Sequence, residues 1–166
     1  RGMLKATPDP GALRIHNIRK NAVFVNGFAA NEPQSSLDIW DVVKADGYDT
    51  SAPMIIMNCR PDRVDRTRQF MHDFFPKIPN MSLLVIGERT GDIVKAYKAG
   101  KYPNCVEFKC IEGKDMKPIK AYLEPKIDNR LIYGVGNIHG IGEEFLEYIL
   151  GENENVEISC VRTDCC

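Results

Sequence analysis

Four arginines and two aspartates crowd into NCRPDRVDRTRQF (58–70), directly after the apolar run MIIM (54–57). A guanidinium fork binds both oxygens of a carboxylate or phosphate at once, so this stretch is suited to gripping an anion. On a helix beginning near Asp62, residues Asp62, Asp65 and Arg66 share a face and Arg63 turns away from them. The plainer alternative is a solvated helix face with local pairs such as Asp62–Arg66, each contributing only about 0.5 kcal/mol.

Two further loops carry unusual residues. In VNGFAANEPQSS (25–36), Asn26 and Asn31 stand among Gly27, Ala29 and Ala30, small enough for a ligand or another chain to approach; Ser35 is the expected N-cap of the next helix. An Asx-rich turn would explain the same residues. In YGVGNIHGIGEE (133–144), Gly134-x-Gly136 lies between a strand and a helix, where backbone N–H groups can meet a phosphate. The full G-x-G-x-x-G fingerprint is broken by His139, and a histidine opening a helix is more often structural than catalytic.

The elements that would position these loops alternate regularly. Strands are predicted over 22–28, 53–59, 82–87, 105–110 and 130–136, with helices over 35–44, 63–75, 92–99, 117–123 and 142–150. Short apolar strands between amphipathic helices specify an α/β fold, a doubly wound and mainly parallel sheet with helices on both faces. In such a sheet ligands sit beyond the carboxyl ends of the strands, where all three loops fall. Residues 1–20 read as a linker or the end of a preceding domain, 21–150 as the domain itself, and 151–166 as a tail with an edge strand over 156–161.

Composition narrows the partners. The 166 residues are 43% hydrophobic and 27% charged, with 22 Lys+Arg against 23 Asp+Glu for a net charge of −1. There is no global basicity to draw nucleic acid, so an anion site must come from local clustering. No apolar run approaches the ~20 residues of a membrane span, and the first twenty residues do not resemble a signal peptide. The six cysteines, Cys59, Cys105, Cys110, Cys160, Cys165 and Cys166, form no C-x-x-C pair and are expected as thiols in a reducing compartment, with no metal site. No P-loop, G-x-S-x-G elbow or H-E-x-x-H helix occurs; Gly113-Lys114-Asp115 lacks the hydroxyl that a P-loop places on Mg²⁺.

Four stretches, PDPGALRI (8–15), VNGFAANEPQSSLDIW (25–40), IIMNCRPDRVDRTRQF (55–70) and IYGVGNIHG (132–140), resemble the carboxyl-terminal half of the ligase subunit of poly-γ-glutamate synthase, in the Mur ligase superfamily. The resemblance spans about residues 2–150. It implies a Rossmann-like Mur ligase C-terminal domain, part of an ATP-dependent amide ligase that adds glutamate to poly-γ-glutamate through an acyl phosphate. It further implies that ATP and Mg²⁺ are held mainly by an upstream central domain absent from this chain, which alone would be inactive. By the same resemblance the substrate-binding residues are Arg60, Asp62, Arg63, Arg66 and Arg14, the last at the junction between domains. Asn26, Asn31, Asn137 and His139 serve nucleotide contacts or domain closure, and Arg63, Arg66 and Thr67 match a segment of UDP-N-acetylmuramate–alanine ligase. Implied partners are glutamate, the growing polymer and membrane subunits of a synthase complex, placing the protein in the cytoplasm at the inner face of the membrane. Two other readings stand beside this one. A dinucleotide-binding oxidoreductase domain is disfavoured because its fingerprint follows the first strand, not the fifth. The other is a non-catalytic interaction module.

Overall fold

The computed structural model describes residues 14–19, 21–30 and 32–151. Six strands form one sheet: β1 (Arg14–Arg19), β2 (Ala22–Asn26), β3 (Met54–Cys59), β4 (Met81–Gly87), β5 (Cys105–Glu112) and β6 (Leu131–Gly136). Their order across the sheet is β1-β2-β6-β3-β4-β5, parallel throughout except for the β1–β2 hairpin. The helices are α1 (Pro33–Ala45), α2 (Val64–Asp73), α3 (Gly91–Lys98), α4 (Met116–Leu123) and α5 (Ile141–Leu146), the last continuing into a π-turn over Glu147–Gly151.

Strand parity explains the two-sided burial. Ile55, Met57, Tyr133 and Val135 face one core with Trp40 of α1, Phe70 of α2 and Ile93 of α3. Met54, Ile56 and Ile132 face the other with Ile119 of α4 and Phe145 of α5. The three central strands therefore read as nearly continuous apolar runs, because both faces are covered. Tyr133 stacks on Trp40 with ring centroids 5.8 Å apart and donates its hydroxyl to the Ser36 carbonyl at 2.7 Å. Phe24, Phe28 and Phe145 close the opposite core.

Three local expectations are corrected. From Arg14 onward the expected linker is strand β1, with Ile18 only 1% exposed. Helix α1 starts at Pro33 behind Glu32, so Ser35 is not its N-cap; its hydroxyl donates to the Glu32 carboxylate. Helix α2 starts at Val64, with Arg63 at the N-cap position, one to two residues later than Asp62. The edge strand expected over 156–161 lies outside the described residues.

Candidate functional site

The winding of the sheet dictates where a cleft can open. Beyond β3 the chain turns into α2 on one face; beyond the adjacent β6 it turns into α5 on the other. The two loops diverge, and the crevice between them is the switch point where α/β sheets hold ligands. A cleft of about 500 Å³ lies there, lined by Arg60, Asp62, Glu88, Lys114, His139 and Glu144, with Asn58 and Cys59 at its base.

Polar side chains at this cleft are already paired with neighbours. Arg60 donates to Asp62 at 2.6 Å, Lys114 lies 3.5 Å from Glu88, and His139 Nδ1 is 3.2 Å from Glu143. These pairs are substantially exposed, so each is worth little to stability and can be exchanged for a ligand's own charges. A lining that mixes cations and carboxylates suits a zwitterion bearing an additional carboxylate.

The loop carrying His139 is held by a residue that the sequence reading passed over. Asn58, 2% exposed on β3, donates from Nδ2 to the carbonyls of Asn137 at 2.5 Å and His139 at 2.9 Å. Its Oδ1 faces Gly87, where an added Cβ would stand 2.8 Å away, leaving only a glycine C–H opposite the acceptor. Asn137 is 7% exposed and accepts the His139 N–H on its side chain at 3.0 Å, an Asx turn that shapes the loop. One polar side chain inside an apolar strand, in MIIMNC, was the signal for this pin.

The arginine stretch divides in two. Arg60 faces the cleft, whereas Arg63 and Arg66 border a separate hollow of about 410 Å³ around the first turn of α2, with Asp62 between the two spaces. Arg68 points elsewhere and pairs with Asp92 of α3 at 3.0 Å. Thr67 is buried and hydrogen-bonds to Cys59. Asn26 does not line the cleft: its side chain accepts the Phe28 N–H at 3.3 Å, as an Asx turn does. The register sets Arg14 opposite Asn26, at the end of the sheet where the cleft opens. Asn31 lies outside the described residues.

The glycines of the turn have a packing role that their spacing does not reveal. A Cβ on Gly134 would meet the Phe28 ring at 2.6 Å, one on Gly136 the Asn58 carbonyl at 2.7 Å, and one on Gly142 the Asn58 amide at 2.5 Å. These glycines admit close packing of β6, α5 and β3. Only Gly140, at φ +74°, faces open space and the cleft.

Burial pushes the Cys59 thiol up to about 12 and raises Cys105 and Cys110 as well, which disfavours the thiolate at each. Among the described residues no three His, Cys, Asp or Glu converge as a metal-holding group, and no helix is long and apolar enough to cross a membrane.

Residues 12–152 match the family model described as the poly-gamma-glutamate synthase CapB C-terminal domain. The chain is 48% identical over 155 residues to the capsule biosynthesis protein CapB of Bacillus anthracis, covering 92% of this chain and 33% of that protein. It is 51% identical over 152 residues to the PGA synthase CapB of Bacillus subtilis strain 168, covering 90% of this chain and 38% of that protein. The chain thus spans about a third of one curated relative and under two fifths of the other. Among solved structures it is similar to a domain described as coming from a UDP-N-acetylmuramate:L-alanyl-gamma-D-glutamyl-medo-diaminopimelate ligase of Haemophilus ducreyi 35000HP. That likeness has 10% identity and a TM-score of 0.45, covering 84% of this chain and 98% of the other, and is too slight to carry an argument. The match across nearly the whole chain is decisive: it belongs to the CapB C-terminal domain family of poly-gamma-glutamate synthases.

Proposed function

We propose that this chain is the amino-acid-delivering, carboxyl-terminal part of an ATP-dependent ligase of the Mur type, which extends poly-γ-glutamate one glutamate at a time. The family match over residues 12–152 carries this reading. The mixed-charge cleft at the switch point and the arginines beside it support it. ATP and Mg²⁺ would be held mainly by a central domain outside this chain, supplying the phosphoryl group that activates the chain-end carboxylate.

The residues of this domain have the remaining tasks. Arg60, with Arg63 and Arg66 beside it, would bind the carboxylates of the incoming glutamate. Glu88, Glu144 and Asp62 would hold its amine, and Asn58 would keep the His139 loop at the rim. Domain closure would exclude water and hold amine and activated carboxylate in line, converting an encounter into an effectively intramolecular step. Arg14 and Asn31 are assigned to the seam with the central domain, and association with membrane subunits belongs to the same proposal.

The test is incorporation of labelled glutamate by the full-length enzyme. Arg63→Ala and Arg66→Ala should each lower kcat/KM about 100-fold, equivalent to about 2.7 kcal/mol, without unfolding the domain. A wild-type rate in both variants would remove the arginines from the site; no incorporation by the native enzyme would remove the ligase reading.

A further inference from the structure

Helices α2 and α3 leave a groove of about 690 Å³ between them, separate from the switch-point cleft and unused by the function proposed above. Its floor is apolar, formed in part by Met71, Ala96 and the buried Tyr102. Its rim carries Arg68, Lys95 and Lys101 against a single carboxylate, Asp92, which Arg68 already holds at 3.0 Å. Lys95 and Lys101 form no ion pair among the described residues. The groove therefore offers two uncommitted cations above a greasy floor.

That combination fits an extended polyanion with methylene in its backbone. A γ-linked glutamate has five backbone atoms against three in an α-linked residue, so it extends about 6 Å per unit instead of about 3.6 Å. Each unit sets one carboxylate beside two backbone methylenes. Helix α2 has ten residues, a length of about 15 Å at 1.5 Å rise, which accommodates two to three such units. The groove begins at Arg68, two residues along α2 from Arg66 of the arginine stretch.

We propose that this groove is a track for the poly-γ-glutamate chain already made, holding the polymer near the enzyme while its end is extended. This rests on the ligase reading for the identity of the polymer. The track grips carboxylates through Lys95 and Lys101 and lays the methylenes on Met71, Ala96 and Tyr102. It retains long chains better than short ones.

The experiment uses the full-length enzyme, native and with Lys95→Glu plus Lys101→Glu, and fluorescence anisotropy of labelled glutamate oligomers. A ten-unit γ-linked oligomer should bind the native enzyme severalfold more tightly than a two-unit one, which fills most of the groove but offers a single register, and at least tenfold more tightly than a ten-unit α-linked one. The double variant should lose that margin, and Lys95→Arg plus Lys101→Arg should keep it. In turnover, the preference for ten-unit over two-unit acceptors should vanish in the charge-reversed variant, with shorter products. Equal binding of all three oligomers, or an unchanged margin in the charge-reversed variant, overturns the proposal. Native enzyme that binds the long γ-oligomer through these lysines but adds no glutamate would sink the ligase reading and leave the groove intact. Enzyme that adds glutamate with no lysine dependence would sink the groove alone.

Discussion

The loops after β3 and β6 both leave the same crevice, and both look functional in sequence; they differ in what their motif residues are for. After β6, Gly134, Gly136 and Gly142 face protein atoms so closely that a methyl group would not fit. After β3, Arg60, Asp62, Arg63 and Arg66 line open hollows. A glycine pattern can be the imprint of packing, whereas charges that border an open hollow are within reach of a ligand.

This contrast is broken or sharpened by substitution. The largest loss is expected at Gly136, which has φ +99° and a neighbouring carbonyl 2.7 Å from any Cβ; Gly136→Ala should cost about 3 kcal/mol or more in urea denaturation. Gly140→Ala, strained at φ +74° and ψ −132° but with open space around it, should cost about 1–2 kcal/mol less than Gly136→Ala; equal losses would end the packing account. Next comes Asn58→Leu, which strips two buried carbonyls of their donor. It should cost about 2–3 kcal/mol and speed hydrogen exchange in the 137–140 loop ahead of the rest of β6. Arg60→Ala should change stability by about 0.5 kcal/mol or less, since its pair with Asp62 is exposed, while still weakening glutamate use. If Arg60→Ala unfolded the domain, the charged loop would be as structural as the glycine turn.

The smallest effect is a pH dependence far from the cleft. Glu124, bonded by Tyr148 and Arg19, and Glu107, bonded by Lys126 and Tyr122, both titrate below the ordinary value of 4.5. A depressed carboxylate contributes stability that is present above its unfolded pKa and lost as pH falls through its folded one. Stability should therefore hold above about pH 5 and decline below 4.5, and Glu124→Gln should flatten that decline.

Much of this fold was legible because both-face burial writes itself as runs such as SLLVIG and MIIM, broken by amphipathic helices. Strand β1 was not. In RIHNIR, Ile15 packs toward one core and Ile18 toward the other, and a bulge between Asn17 and Arg19 shifts the register, so no period of two survives. The site was legible in parts. Composition located the arginines but could not say that Asp62 separates Arg60 from Arg63 and Arg66, because that depends on where α2 begins. The spacing of Gly134 and Gly136 carries no record of Phe28 or Asn58, against which those glycines pack. Asn58 itself was visible as a lone polar residue in an apolar strand, but its partners lie 79 and 81 positions away.

The place of β6 in the sheet has a consequence for how the chain is made. The last of the described strands fills the slot between β2 and β3, so those two have no direct pairing to each other. Until residue 136 has emerged, a nascent chain carries a β1–β2 hairpin and a β3–β4–β5 sheet with two apolar edges facing the same gap. Closing that gap joins residues more than a hundred positions apart, as with Val23 and Leu131, so assembly should be slow and all-or-none. Until then the open edges are the places where a neighbouring chain's strand could insert instead.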